Sequence, residues 1–269
     1  AIGSKAYAKT GFDMAIGYKV AAKGGAATAV GYLNTAEGNQ SVALGSTVTT
    51  SSAAQYATGI GYQVDVSGKN AVAIGSNSQA VTQGAALGRL ANAGNSATAL
   101  GNQATASGAK SLAAGNRATA SGESSIALGD GANATNANDV ALGAGSVTGS
   151  RNALTSITIN GTEVGNNGKT SGSAVLAVGN STAARQVQYV SAGLISSDST
   201  DAINGSQLYQ VISVLNTTAS TATAALSTAT IANTTANTAN TTANTANTTA
   251  NTANTTANTA NTTANTANT

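Results

Sequence analysis

Read for hydrophobic and polar positions, the first two thirds of the chain repeats two patterns. In QATASG, Gln103 to Gly108, Ala104 and Ala106 fall on one side while Gln103, Thr105 and Ser107 fall on the other, the period-two mark of a strand with one wet face. In NAVAIG, Asn70 to Gly75, Val72 and Ile74 lie on one side and Ala71 and Ala73 on the other, so both faces are apolar and the strand is predicted to be buried on both. The glycine closing the second pattern recurs at Gly3, Gly17, Gly31, Gly45, Gly61, Gly75, Gly88, Gly101, Gly115, Gly129 and Gly143, with spacings of 14, 14, 14, 16, 14, 13, 13, 14, 14 and 14. Another glycine often stands seven residues earlier, at Gly24, Gly38, Gly68, Gly94, Gly108 and Gly122. Each unit is thus two short strands joined by turns that glycine eases, and so regular a period predicts a solenoid in which no unit folds alone.

A two-strand coil covers only one face of its apolar strand. The other face must meet a further chain, and small alanines suit a close approach. A monomer would expose an apolar stripe as long as the repeat region, which soluble monomers rarely show. On this reading a charge at Ala73 weakens assembly more than one at Thr105. After Gly143 the rhythm stops for 36 residues and resumes at GSAVLAVG, where Gly172 and Gly179 again stand seven apart. The interruption contains SITINGTEV, two strand-like runs around Asn160-Gly161, a strong signal for a tight hairpin leaving the solenoid. Two roles stay open for it: a flap packed over a neighbouring chain, or a ligand-binding projection.

Composition removes most chemistries. Among 269 residues there is no His, Cys, Pro or Trp, which takes away the usual zinc and copper ligands and the commonest nucleophile and general base. The nine acidic residues are scattered and share no acid/base motif, so neither an enzyme nor a cofactor or metal is expected. A net charge of +2 without clustered Lys and Arg excludes a nucleic-acid footprint. Lys5, Lys9, Lys19 and Lys23 make the first repeats mildly basic, as a solvated face or a weak attraction for an anionic surface. No apolar stretch is long enough to span a membrane, no signal peptide is present, and the sequence opens inside a repeat, as a piece of a longer protein would.

The 14-residue AVAIG units, the hairpin and then RQVQYVSAGLISSDSTDAINGSQLYQ, Arg185 to Gln210, together resemble the head, head insert and neck of a trimeric autotransporter adhesin of the YadA-like kind. The specific part is the neck: Arg185-Gln186, Ser191-Ala192-Gly193 and Asp201 through Leu208. The resemblance covers residues 1 to about 215 and implies a left-handed parallel β-roll, a β-solenoid of 14-residue repeats, in a homotrimer, followed by a trimeric α-helical coiled coil. It divides the chain into a β-roll head (1–143), an inserted β-hairpin (144–171), a last head repeat (172–184), a neck (185–208) and a stalk (209–269). It also implies an extracellular place on a bacterial surface, held to the outer membrane by a C-terminal barrel that this sequence does not include.

The stalk departs from the usual composition. No charge follows Asp201, and from Ala232 the chain repeats ANTTANT with a period of seven, the heptad number of a left-handed coiled coil, although Asn and Thr are mediocre helix formers. One register runs Leu208, Ile212, Leu215, Ala219, Ala222, Leu226, Ala229 and on through Asn233, Ala236, Asn240 and Ala243. A competing one through Ala229, Ala232, Ala236 and Ala239 gives an all-alanine seam, and disorder is a third reading. The choice of register decides whether the Asn-Thr-Thr acceptor sequons at Asn233, Asn240, Asn247, Asn254 and Asn261 face the core or the outside.

Candidate ligand-binding residues follow from two features. Tyr18, Tyr32 and Tyr62 each come directly after a repeat glycine, so they share one azimuth, Tyr18 and Tyr32 about 4.8 Å apart on adjacent coils, either to grip a partner or to shield a subunit boundary. Asn70, Val72, Ala73, Ile74, Gly75 and Ser78 match the repeat that the resembled family uses for collagen, with Ala71 in place of its Ser; Asn39 to Thr47 is a looser match. Only weak, avidity-dependent binding to a collagen-like matrix protein is expected there, because the strand is needed for the fold. In the neck, Ser199 or Asp201 is expected to cap the stalk helix, with Leu208 and Ile212 opening its seam. Arg185 is expected to pair with Asp198 or Asp201 across chains, and Asn204 and Gln207 belong to the same trimer-locking segment. The function expected is a surface adhesin that attaches the cell to matrix, another cell or a surface through repeated weak contacts. The alternative is a structural filament without a ligand. An ice-binding solenoid is excluded by the irregular wet strand, and a calcium roll by the missing Asp.

Overall fold

The computed structural model describes residues 1–150, the strand backbones 156–159 and 162–165, and residues 173–268. It falls into two units, Ala1–Val187 and Gln188–Thr269.

The first unit is a parallel β-solenoid. Ten two-residue strands stack into one sheet, and ten strands of three to five residues, with the two-residue Leu176–Ala177 at the end, into an eleven-stranded sheet, all pairing parallel with the equivalent strand of the next coil. The coil interior is built from methyl groups. Ala15, Ala29, Ala43, Ala73, Ala86, Ala99, Ala113, Ala127 and Ala141 line it from the long strands, facing Ala22, Ala36, Ala80, Ala93, Ala106, Ala120 and Ala134 from the short ones, all buried. This corrects the expectation that alanine makes the contact between chains. Alanine fills the narrow gap between a coil's own two strands, and the branched residues, Leu44, Ile74, Leu87, Leu100, Leu128 and Leu142, stand outward and 36–50% exposed. A charge at Ala73 therefore strikes the coil interior.

The turns carry more constraint than the glycine spacing shows. In each coil the residue two places after the repeat glycine is in the left-handed region, whether Gly or not: Lys19, Leu33, Thr47, Gln63, Asn77 and Leu90 all have φ between 51° and 58°. That conformation turns its N–H onto the middle carbonyl of the preceding turn, as in Leu33 to Tyr18 (3.0 Å) and Thr47 to Tyr32 (2.8 Å), so every turn is hydrogen-bonded to the one before. The repeat glycine has two reasons to be glycine. At Gly31 φ is +126°, and a Cβ would stand on the carbonyl oxygen of Gly45 in the next coil.

The solenoid continues across the interruption. The strand Val140–Leu142 pairs with Leu176–Ala177, with Val140 opposite Leu176. The buried Asp139 carboxylate accepts from the Val175 N–H (2.8 Å) and from Asn136 (2.9 Å), and Asn180 donates to the Gly145 carbonyl (2.7 Å). The inserted strands Ser156–Ile159 and Thr162–Gly165 pair antiparallel, as the hairpin reading expects. Asn160 and Gly161 lie outside the described residues.

The second unit is an extended segment leading into one helix, Gly205–Ala267. The helix runs unbroken through the ANTTANT repeats, so the disorder reading is set aside. Most of its threonine hydroxyls are satisfied locally by donating to the carbonyl four residues earlier, as in Thr238 to Thr234 and Thr242 to Thr238, both 3.0 Å, a bond that leaves their low helix propensity uncompensated. No helix among the described residues is long and apolar enough to cross a membrane.

Candidate interaction surfaces

The expected site residues separate into three places. In the head, Tyr18 and Tyr32 stand opposite one another in register and their rings stack at 5.5 Å between centroids and 12° between planes. The Lys19 ammonium lies 5.3 Å from the centre of the Tyr18 ring. Tyr62 occupies the same position two coils on, with Ser46 between it and Tyr32. The shared azimuth read from the glycine spacing is what the strand register produces.

The collagen-type motif is divided by the coil. Asn70 is exposed at a turn with φ +56°, Val72 is half-buried and Ile74 faces outward. Ser78 is fully buried, and its hydroxyl donates to the Gly75 carbonyl (3.1 Å) inside the turn. Among these candidates, surface chemistry belongs to Asn70 and Ile74, while Ser78 serves the fold.

In the neck region Arg185, Asp201, Asn204 and Gln207 each have partners within the chain. The Arg185 guanidinium lies over Gly143 and donates to the Ala144 carbonyl, the Val178 carbonyl (2.8 Å) and the Ser146 hydroxyl (3.1 Å), stitching chain before the insert to chain after it. Asp198 is exposed, and Asp201 accepts from the Leu194 N–H (2.9 Å). The helix cap corrects the expectation for Ser199 or Asp201: Ser199 takes the Asp201 N–H, and the capping residue is Asn204. The reason is a reciprocal box. Asn204 accepts the Gln207 N–H, and Gln207 accepts the Asn204 N–H, each at 3.2 Å. The same two side chains hold the extended segment, Asn204 donating to Val190 (3.1 Å) and Gln207 exchanging two bonds with the Gly193 backbone (3.0 and 2.7 Å). A Cβ on Gly193 would meet Asp201 at 2.8 Å, so only glycine lets the segment lie this close.

Along the helix Leu208, Ile212, Leu215 and Leu226 are all exposed in the single chain, at 45–70%. Sequence reading missed the left-handed turn column and a side-chain ladder: Arg89 donates to Asn102, Asn102 to Asn116 and Asn116 to Asp130, one step per coil (3.4, 2.9 and 2.7 Å). The 13- and 14-residue spacing of these polar residues was the available signal.

Comparison with known proteins follows this division. The family profile of the YadA head domain repeat matches residues 22–47, 53–78, 67–85, 93–118 and 120–146, and that of the coiled stalk of trimeric autotransporter adhesins matches 186–231. No curated protein sequence matches the chain. Among solved structures, the C-terminal YadA-like domain of a Burkholderia pseudomallei protein is 37% identical over 41% of this chain and 45% of its own, with a TM-score of 0.33. The chain thus spans less than half of that structure's length. The collagen-binding domain of the Yersinia adhesin YadA is 22% identical over 77% of this chain and 87% of its own, with a TM-score of 0.42. Neither profile describes an enzyme. With head repeats before residue 146 and a stalk match that begins at 186, in the order in which the solenoid gives way to the capped helix, the chain belongs to the YadA-like trimeric autotransporter adhesins.

Proposed function

We propose that the chain is the passenger portion of a bacterial surface adhesin that works as a parallel homotrimer, its head attaching the cell to matrix proteins, other cells or surfaces and its helix forming part of a fibrous stalk. The observation that carries this reading is the outward column of the long-strand sheet. Six leucines and isoleucines, each from a different coil and with Ile60 and Ala114 between them in the column, remain 36–50% exposed although the coil interior is filled, and a further chain in register would cover them. In the second unit Leu194 and Ile195 are 67% and 69% exposed, and Tyr189 is held at φ +60° with its ring fully exposed, so here too the single chain leaves apolar groups uncovered. A pair between Arg185 and Asp198 or Asp201 of a neighbouring chain would lock this assembly across chains.

Adhesion comes from repetition: contacts that are weak singly are multiplied by coil number and by three chains. The test is retention of the full chain on immobilised matrix proteins, collagen among them, compared with retention of a disassembled variant such as Leu100→Lys. Retention of the assembled form alone supports the reading. Retention of neither leaves a structural filament as the function.

A further inference from the structure

The column of residues directly after the repeat glycines changes character along the head. Tyr18 and Tyr32 fill adjacent places and stack, closing the space between their coils. The next place holds Ser46, and the one after it Tyr62. Strands about 4.8 Å apart put Tyr32 and Tyr62 roughly 10 Å apart along this column, and the two side chains keep 49% and 51% of their surface exposed. The missing ring leaves a slot one coil wide, with two aromatic residues as walls and the short Ser46 side chain as floor. Two van der Waals contacts of roughly 3.5–4.0 Å plus the thickness of a puckered ring take up such a gap. A planar aromatic ligand would leave it loose.

We propose that the Tyr32–Ser46–Tyr62 slot binds a pyranose ring of an acidic saccharide. The electron-rich faces of the tyrosines attract the C–H groups that a pyranose presents on its two sides, by the electrostatics that favours edge-to-face aromatic pairs, and Ser46 supplies a hydroxyl at the floor. The acidic character comes from the basic end of the same surface. Lys19 lies beside the stacked pair, Lys5 is one coil further back in the same turn position, and the ion pairs found among the described residues, Lys23–Glu37 and Lys110–Glu123, use neither. A carboxylate or sulfate on a neighbouring sugar of the chain meets these ammonium groups while one ring occupies the slot. This assignment rests on the adhesin reading and gives it a ligand class.

The test uses the full chain, a heparin-derived hexasaccharide and neutral cellohexaose, with binding read by calorimetry. The wild type is expected to bind the acidic hexasaccharide, more weakly as salt rises, and the neutral one poorly. Ser46→Tyr completes the stack with the protein's own ring, a residue this turn position already accepts in neighbouring coils, and is expected to weaken binding about tenfold or more with the circular dichroism spectrum unchanged. Tyr62→Ala is expected to do the same, and Tyr56→Ala, on the other turn, to change nothing. Wild-type affinity in both Ser46→Tyr and Tyr62→Ala, equal binding of the neutral sugar, or no binding by the wild type would each overturn the proposal. Retention on matrix proteins, measured in parallel, separates the two readings: retention without saccharide binding rejects the slot and keeps the adhesin, whereas saccharide binding lost in Ser46→Tyr without retention keeps the slot and rejects matrix adhesion.

Discussion

At one coil the alanine column is broken by Gly59, and the three nearest atoms to an added Cβ there belong to valines: Val48 at 2.8 Å, Val66 at 3.2 Å and Val64 at 3.5 Å. Larger residues on one side of the gap thus complement a smaller one on the other, and the volume of a coil interior stays roughly constant. Gly59→Ala is expected to destabilise the head by about 1–3 kcal/mol through overpacking. Adding Val48→Ala should return much of that loss, so thermal melts of the two single variants and the double variant should be markedly non-additive; additive losses would show that the two sites do not share space. The left-handed turn column leads to an opposite expectation. Thr47 is β-branched yet held at φ +58°, a conformation that costs L-residues roughly 1–2 kcal/mol and asparagine less, so Thr47→Asn should raise the melting temperature. The glycines and the inward alternation were legible in the sequence because each leaves a periodic trace. The turn column was not, since Lys, Leu, Thr, Gln and Asn share no property there, and it is the hydrogen bond to the preceding turn that imposes the conformation.

Two local devices hold elements together. Where the insert leaves the solenoid, burial alone would raise the pKa of Asp139, but hydrogen bonds from Asn136, the Val175 N–H and Thr148 outweigh it and hold the carboxyl below its ordinary value. A depressed pKa means that this carboxylate contributes stability at pH values above about 4, lost as pH falls through its folded-state pKa. Asp139→Asn should therefore lower the melting temperature at pH 7, and the gap to wild type should narrow as pH drops towards 3; a gap that does not change with pH would contradict the role given to the charge. At the helix start the box of Asn204 and Gln207 also holds the segment around Gly193. Asn204→Ala is expected to cost about 1 kcal/mol, and Gln207→Ala added to it should cost more, because Gln207 also holds the Gly193 backbone, as measured by helix melting at 222 nm. The sequence showed where the helix begins to within a few residues but offered Ser199 or Asp201 as the cap. What selects Asn204 is the Gln three residues on, a pairing visible in the sequence once both halves of the box are sought.

For the whole molecule, the apolar run of the long strands correctly indicated that a coil's own partner strand covers one face only, while which face was which followed from size. The gap between the two strands of a coil takes mainly alanine, with a valine or threonine in a few coils, which sends Leu44, Ile74, Leu87, Leu100, Leu128 and Leu142 outward. The helix poses the same problem with weaker side chains, because no residue of Gly205–Ala267 is buried in the single chain and its repeats contain no charge to pair. Both units therefore point to association as the condition for a stable fold. Sedimentation equilibrium of the full chain at micromolar concentration tests this most directly. The expected result is a single folded species of three times the 25.7 kDa of one chain, converted by Leu100→Lys to smaller, less stable species. A folded β-solenoid sedimenting as a 25.7 kDa monomer would contradict it.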